Sequence, residues 1–201
     1  MMTKSEAYIQ VKDLDFEYPD GTRALSGINL EVTKGEFIAL IGQNGSGKTT
    51  LSKCLNGLYK PTSGDVIVDG LNSKSTSISQ MVRRVGYVFQ NPDHQLFNDS
   101  CWDEIAYGPR NIQLPEDEVK ERVEEAIRVV GLPKRHHKEH PFFLPKGLRQ
   151  RVAIASILAL KPQMIIVDEP TTGQDARQSL EIMDFLKVLN EQHGHTIIII
   201  T

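Results

Sequence analysis

Eight consecutive residues, Gly42-Gln43-Asn44-Gly45-Ser46-Gly47-Lys48-Thr49, have the types and spacing of a phosphate cradle. Read as G-x-x-x-x-G-K-T, the run is the phosphate-binding loop known as Walker A. Its glycines let the backbone fold tightly round an anion, with several N–H groups and a helix N-terminus pointing at phosphate oxygens. Lys48 adds a full positive charge at the β- and γ-phosphates, and the Thr49 hydroxyl is an oxygen ligand suited to Mg²⁺. A second chemical pair closes the run Met164-Ile165-Ile166-Val167-Asp168-Glu169. There Asp168 is placed to help hold Mg²⁺, and Glu169 to polarise an attacking water as general base.

The elements around these groups must hold them in register. Phe37 to Ile41 is apolar throughout and predicts a strand buried in a parallel sheet, while Thr50 to Gly57 predicts a helix closed by Gly57. Tyr8 to Tyr18 alternates as a half-buried strand, Pro19-Asp20-Gly21 turns, and Ala24 to Val32 forms a second strand. The phosphate-loop strand is therefore preceded by a β-rich lead-in. Tyr18 at its turn either packs or stacks on a flat base. Pro61 to Gly64 turns into a short strand, Asp65 to Gly70, and the Ser/Thr-rich stretch Asn72 to Gln80 predicts a loop. Val85 to Phe89 predicts another strand, with Gln90 at its C-terminal end as a ligand-facing group or a loop cap.

From Asp99 to Leu160 the pattern is helical. Pro115-Glu116-Asp117-Glu118 opens one helix, with Val119, Val123, Ala126, Ile127 and Val130 as its apolar face. His136, His137 and His140 lack regular metal-ligand spacing and read as a basic surface loop. Asp175 to Gln192 predicts an amphipathic helix and Thr196 to Ile200 a last core strand.

Length, charge and composition narrow the class. With 201 residues the chain accommodates one substantial α/β domain, and a net charge of −3 argues against a general nucleic-acid binder. Cys54 and Cys101 form no disulfide framework and read as buried thiols. The longest apolar run, Val152 to Leu160, is too short to span a bilayer, and Met1 to Glu6 is polar, unlike a signal peptide. A soluble, cytosolic protein is expected, with any membrane role exercised through a partner.

Together these motifs resemble the ATP-binding subunit of ABC transporters, and most closely the energy-coupling-factor and cobalt-type importer ATPases. The resemblance covers nearly the whole chain. It matches Gly42 to Thr49 to Walker A, Ile165 to Asp168 with Glu169 to Walker B and the catalytic Glu, and Gln90 to the Q-loop. Tyr18 matches the adenine-stacking aromatic, and Asp175 in Thr171-Thr172-Gly173-Gln174-Asp175 the D-loop. Residues 90–97 and 103–108 are similar to the importer subgroup specifically.

The implied fold is α/β: a P-loop (RecA-like) ATPase core with an N-terminal antiparallel β subdomain and an inserted α-helical subdomain, lacking the C-terminal end of the fold. The expected division places the β lead-in and core at about 1–95 and 161–201, and the helical subdomain at about 96–160. The implied cofactors are ATP and Mg²⁺. Lys48 and the Gly45 to Thr50 amides would hold phosphate, with Gly42, Gln43 and Asn44 completing the loop. Thr49 and Asp168 would hold Mg²⁺, Gln90 would sense it, and Glu169 would activate water. The implied partners are a second ATPase subunit, packed head to tail, and an integral membrane subunit docking near Gln90. The expected location is the cytoplasmic face of the membrane, without nucleic acid.

Two departures modify that expectation. Where the family signature reads Leu-Ser-Gly-Gly-Gln, this chain has Leu144-Pro145-Lys146-Gly147-Leu148. Lys146 is a mild change, whereas Pro145 removes a hydroxyl and a backbone N–H and Leu148 removes a polar side chain. The signature is expected to be weak on the partner's ATP. The chain also stops after Thr201, before the family's switch histidine, and His193 and His195 precede that strand. Better ATP binding than hydrolysis is the expectation. The alternatives are a soluble ABC-type clamp acting on ribosomes or DNA and, less favoured, a GTPase, for which an Asn-Lys-x-Asp motif is missing.

Overall fold

The computed structural model describes residues 7–173 and 175–201. The polar stretch Met1 to Glu6 and Gln174 of the expected D-loop lie outside the described residues. Two four-stranded sheets carry the chain. The first is antiparallel, in the order β2-β1-β4-β5, from β1 (Ala7–Glu17), β2 (Arg23–Thr33), β4 (Ser63–Val68) and β5 (Leu71–Asn72). The second is parallel, in the order β3-β8-β7-β6, from β3 (Phe37–Leu40), β6 (Val85–Val88), β7 (Met164–Asp168) and β8 (Thr196–Ile200). Helix α1 (Lys48–Leu55) follows β3, and α2 (Ile78–Met81) precedes β6. Helices α3 (Cys101–Asn111), α4 (Glu116–Val130) and α5 (Lys146–Leu158) lie between β6 and β7, and α6 (Ala176–Glu191) connects β7 to β8.

The unbroken apolar runs of β7 and β8 are explained by burial on both faces. Strand side chains alternate sides, so Ile165, Val167, Ile197 and Ile199 join one core with α3, α4, α5 and α6. Met164, Ile166, Ile198 and Ile200 point the other way, into a core shared with β1, β4 and the α1 residues Cys54 and Leu55. Helix α1 thus packs in the core that joins the two sheets. The five apolar positions expected on α4 are all buried. Both cysteines are buried free thiols; burial raises Cys54 to about 12 and Cys101 to about 11, so neither is a ready nucleophile.

Two expectations need correction. The strand leading to the phosphate loop is not buried: Phe37 is 39% and Ile41 79% exposed, and the Phe37 and Ala39 face of the edge strand β3 is open, whereas β6, the other edge strand, is buried throughout against α5. Nor is Asn72 to Gln80 all loop. Asp69 and Gly70, at φ 48° and 77°, make the tight turn that pairs β4 with β5. The Ser77 hydroxyl and the Gln80 side chain then form a reciprocal capping box that starts α2.

Candidate functional site

All four parallel strands end at the same edge of the sheet, which is where α/β folds collect ligand-facing groups. The phosphate loop follows β3, Gln90 follows β6, and Asp168-Glu169 close β7. The loop's shape depends on left-handed glycines. Gly45 sits at φ 81° and Gly47, the α1 N-cap, at φ 91°. A Cβ on Gly47 would lie 2.7 Å from the Ala24 carbonyl oxygen, so only glycine lets the loop pack so closely on β2. Lys48 folds back and donates from Nζ to the carbonyls of Gly42 at 2.6 Å and Gln43 at 3.1 Å.

A cavity of about 380 Å³ opens above the loop. Its walls are residues 44–50, Glu169, Tyr18 and the start of β2 from Thr22 to Ala24. The Tyr18 ring packs edge-on to Phe16 at 5.0 Å and also forms part of the cavity wall. Its hydroxyl hydrogen-bonds Thr50 Oγ1 at 2.7 Å, which ties β1 to the first turn of α1.

The carboxylates meet the loop from the other side. Thr49 Oγ1 donates to Asp168 Oδ2 at 3.3 Å, and the Tyr87 hydroxyl donates to the same oxygen at 2.6 Å. Burial, reinforced by this hydrogen bond, pushes the Tyr87 phenol well above its ordinary range, so it remains a donor. A threonine hydroxyl beside a carboxylate is a hard oxygen donor set that fits Mg²⁺. Glu169 takes an unusual positive φ of 42°, fixed in part by its N–H donating to the Ile200 carbonyl at 2.9 Å. Its Oε2 accepts from Gln90 Nε2 at 2.7 Å and from Thr172 Oγ1 at 2.8 Å.

Sequence reasoning missed Tyr87 and Thr172. Tyr87 left a signal, since a tyrosine in a four-residue strand buried throughout needs a hydrogen-bond partner. Thr172 left none beyond its nearness to Glu169.

The structure does not bring the expected signature residues into the cavity. Leu144 is buried, Pro145 is the N-cap of α5, and Leu148 packs against the helical core. Lys146 Nζ instead donates to the carbonyls of Thr172 at 3.1 Å and Gly173 at 3.4 Å, joining α5 to the loop that carries Glu169. Asp175 caps α6, accepting from the Gln178 N–H at 2.8 Å. Each expected loop histidine is engaged: His136 with Glu139 at 2.7 Å, His137 with the Leu132 carbonyl at 3.2 Å, and His140 with the Phe142 N–H at 3.3 Å. Among the described residues no His/Cys/Asp/Glu group could hold a metal on its own, and no helix is long and apolar enough to cross a membrane.

Known proteins share this fold. The ABC transporter family profile matches residues 25–172. An ABC transporter ATP-binding protein of Caldanaerobacter subterraneus subsp. tengcongensis is 55% identical over 98% of this chain, which spans 34% of that protein's length. The energy-coupling factor transporter ATP-binding protein EcfA of Methanothermobacter thermautotrophicus is 46% identical over 95% of the chain and 61% of its own length. Among solved structures, cbiO1 of Clostridium perfringens, part of the ABC transporter complex cbiONQ, superposes with a TM-score of 0.87 at 38% identity. That match covers 97% of this chain and 78% of cbiO1. The ATP-binding cassette MJ0796, a dimer bound to ADP and Pi, gives 0.82 at 29% identity, over 96% of this chain and 87% of its own. With the match over residues 25–172, this chain belongs to the ABC transporter family of ATP-binding proteins.

Proposed function

We propose that this chain binds and hydrolyses ATP to energise a membrane importer for a small nutrient of the metal-ion or vitamin type. One observation carries the chemistry: the phosphate loop's Thr49 hydroxyl sits 3.3 Å from the Asp168 carboxylate. The importer class is supported by similarity to EcfA and to cbiO1.

In this reading Lys48 and the amides of residues 45–50 hold the phosphates, and Gly42, Gln43 and Asn44 shape the loop. Tyr18 faces the base. Mg²⁺, held by Thr49 and Asp168 with Gln90 nearby, neutralises phosphate charge when bound. Glu169 takes a proton from the attacking water, and Gln90 and Thr172 keep its carboxylate oriented. A second ATPase subunit packs head to tail, presenting its signature to this site while Leu144 to Leu148 and Asp175 face the partner. An integral membrane subunit docks near Gln90, which makes the protein peripheral at the cytoplasmic face without nucleic acid. The working division is a core at about 1–95 and 161–201 with a helical subdomain at about 96–160.

The test uses the full-length protein. Glu169→Gln retains ATP binding and loses about 10²–10⁴-fold in hydrolysis, whereas Lys48→Ala loses binding. Parental hydrolysis by Glu169→Gln would overturn the role of Glu169. Affinity purification from detergent-solubilised cells recovers a stoichiometric integral membrane protein; recovery of ribosomes or soluble partners alone would replace the importer with a soluble clamp.

A further inference from the structure

The segment between α4 and α5 carries five basic side chains in a row, Lys134-Arg135-His136-His137-Lys138, in a chain of net charge −3. It is held in place by α3. The Cys101 N–H donates to the Glu139 carbonyl at 2.9 Å and the Trp102 N–H to the His137 carbonyl at 2.9 Å. These bonds, with the Asp103 N–H on Ser100 Oγ at 3.0 Å, satisfy the start of α3, so its backbone has no donor left for a ligand there.

Between this segment and α3 lies a cavity of about 640 Å³, walled by Trp102, Asp103, Lys134, Arg135 and Lys138. The acids near it are already paired. Asp103 meets Arg110 at 3.2 Å, and Glu139 meets His136 at 2.7 Å. Among the described residues Lys134, Arg135 and Lys138 have no carboxylate partner; Arg135 Nε reaches only His136 Nε2, at 3.0 Å. The excess charge is therefore three cations around one partly buried indole.

The same segment continues into two exposed rings, Phe142 at 44% and Phe143 at 83% exposure, with His140 stacked on Phe142 at 5.4 Å. Cations alone would suit any phosphate anion. Cations joined to exposed aromatic rings suit a phosphate that comes with an apolar layer, since the rings otherwise remain in water. We propose that Lys134 to Phe143, with Trp102, is a docking surface for an anionic lipid bilayer. Lipid phosphates face Lys134, Arg135 and Lys138, and Phe142 and Phe143 enter the headgroup–acyl boundary. The cavity beside Trp102 shares no lining residue with the cavity over the phosphate loop, and the proposal does not depend on the importer reading.

Flotation of the full-length protein with vesicles tests this. Phosphatidylcholine vesicles containing phosphatidylglycerol retain the protein, pure phosphatidylcholine does not, and added salt releases it. Lys134→Ala/Arg135→Ala/Lys138→Ala lowers the anionic-vesicle affinity by about 100-fold, and Phe142→Ser/Phe143→Ser also weakens it. ATP binding by each variant reports that the fold is intact. If the triple variant misfolds, Lys138→Glu, at an exposed position, lowers the anionic-vesicle affinity by about 30-fold. Equal binding to neutral vesicles, or no effect of the charge substitutions, would overturn the proposal. So would calorimetric saturation by inorganic phosphate with no vesicle flotation, which would assign the cavity to a free phosphorylated ligand.

Discussion

The Tyr87 hydroxyl donates to Asp168 Oδ2 at 2.6 Å, the same oxygen that faces Thr49 Oγ1 at 3.3 Å. Both sit at the C-terminal edge of the parallel sheet, and Asp168 is only 8% exposed. A buried carboxylate that loses a charge-assisted donor gains no water in return. Tyr87→Phe keeps the ring's edge-on contact with Phe89 at 5.1 Å and removes only the hydroxyl. We expect a loss of about 1.5–3 kcal/mol in stability, read as a lower urea midpoint at unchanged slope, with weaker Mg²⁺-dependent ATP binding. An unchanged midpoint would mean that Asp168 finds another donor.

The two left-handed glycines of the phosphate loop separate two costs. At Gly45, φ 81°, an added Cβ meets nothing within 4 Å, so Gly45→Ala carries conformational strain alone, about 1–2 kcal/mol. At Gly47, φ 91°, the Cβ also runs into the Ala24 carbonyl oxygen at 2.7 Å and Leu25 Cδ2 at 3.0 Å. Gly47→Ala adds about 1–3 kcal/mol of overpacking and pushes the loop off β2. Thermal unfolding and ATP affinity of the pair check this; equal losses in the two variants would remove the steric argument.

Much of this was legible in the sequence because it depends on local chemistry. The phosphate loop, the acids after Val167 and the α4 face from Val119 to Val130 each follow from spacing along a single element. The continuous apolar run Thr196 to Ile200 also marked β8 as a core strand. What escaped depends on neighbours remote in sequence. Phe37 to Leu40 is as apolar as a central strand, yet its Phe37 and Ala39 face is exposed, whereas the other edge strand, β6, is buried against α5. Tyr87 and Lys146 find their partners on other elements, and no periodicity encodes a contact across 81 residues, as between Tyr87 and Asp168. Leu71 and Asn72 form a strand only because Asp69-Gly70 turns them back onto β4.

His195 makes stability depend on pH. Burial, first among the causes, lowers its pKa below the ordinary value of 6.5, with His193 adding to the effect and the Pro162 carbonyl, 3.0 Å from Nδ1, opposing it. A neutral ring in the folded state means that the unfolded chain binds the extra proton first. The contribution is fully present above the unfolded value of about 6.5, and is lost as pH falls through that value toward the lower folded one. His195→Gln should flatten the decline in unfolding free energy just below neutral pH. A slope unchanged by the substitution would place the titration elsewhere.

The last prediction concerns the α5 entry. Pro145 starts the helix without a side-chain cap, and Leu148 packs on the helical core rather than offering a polar group. If this edge completes a partner's ATP site, it does so with two fewer polar contacts than the Ser and Gln of the family pattern would supply. Each such contact to a charged phosphate is worth about 1.5–3 kcal/mol, so restoring both should raise ATPase turnover of the dimer by well over tenfold. Pro145→Ser also adds an N-cap hydroxyl, worth about 1 kcal/mol to the helix, whereas Leu148→Gln gives up apolar packing; the double variant should therefore fold with little net change. Lys146 remains tied to the Thr172 and Gly173 carbonyls, so the loop carrying Glu169 is held as before. Turnover that stays at the parental level, in a double variant that binds ATP normally, would show that Pro145 and Leu148 do not limit the site.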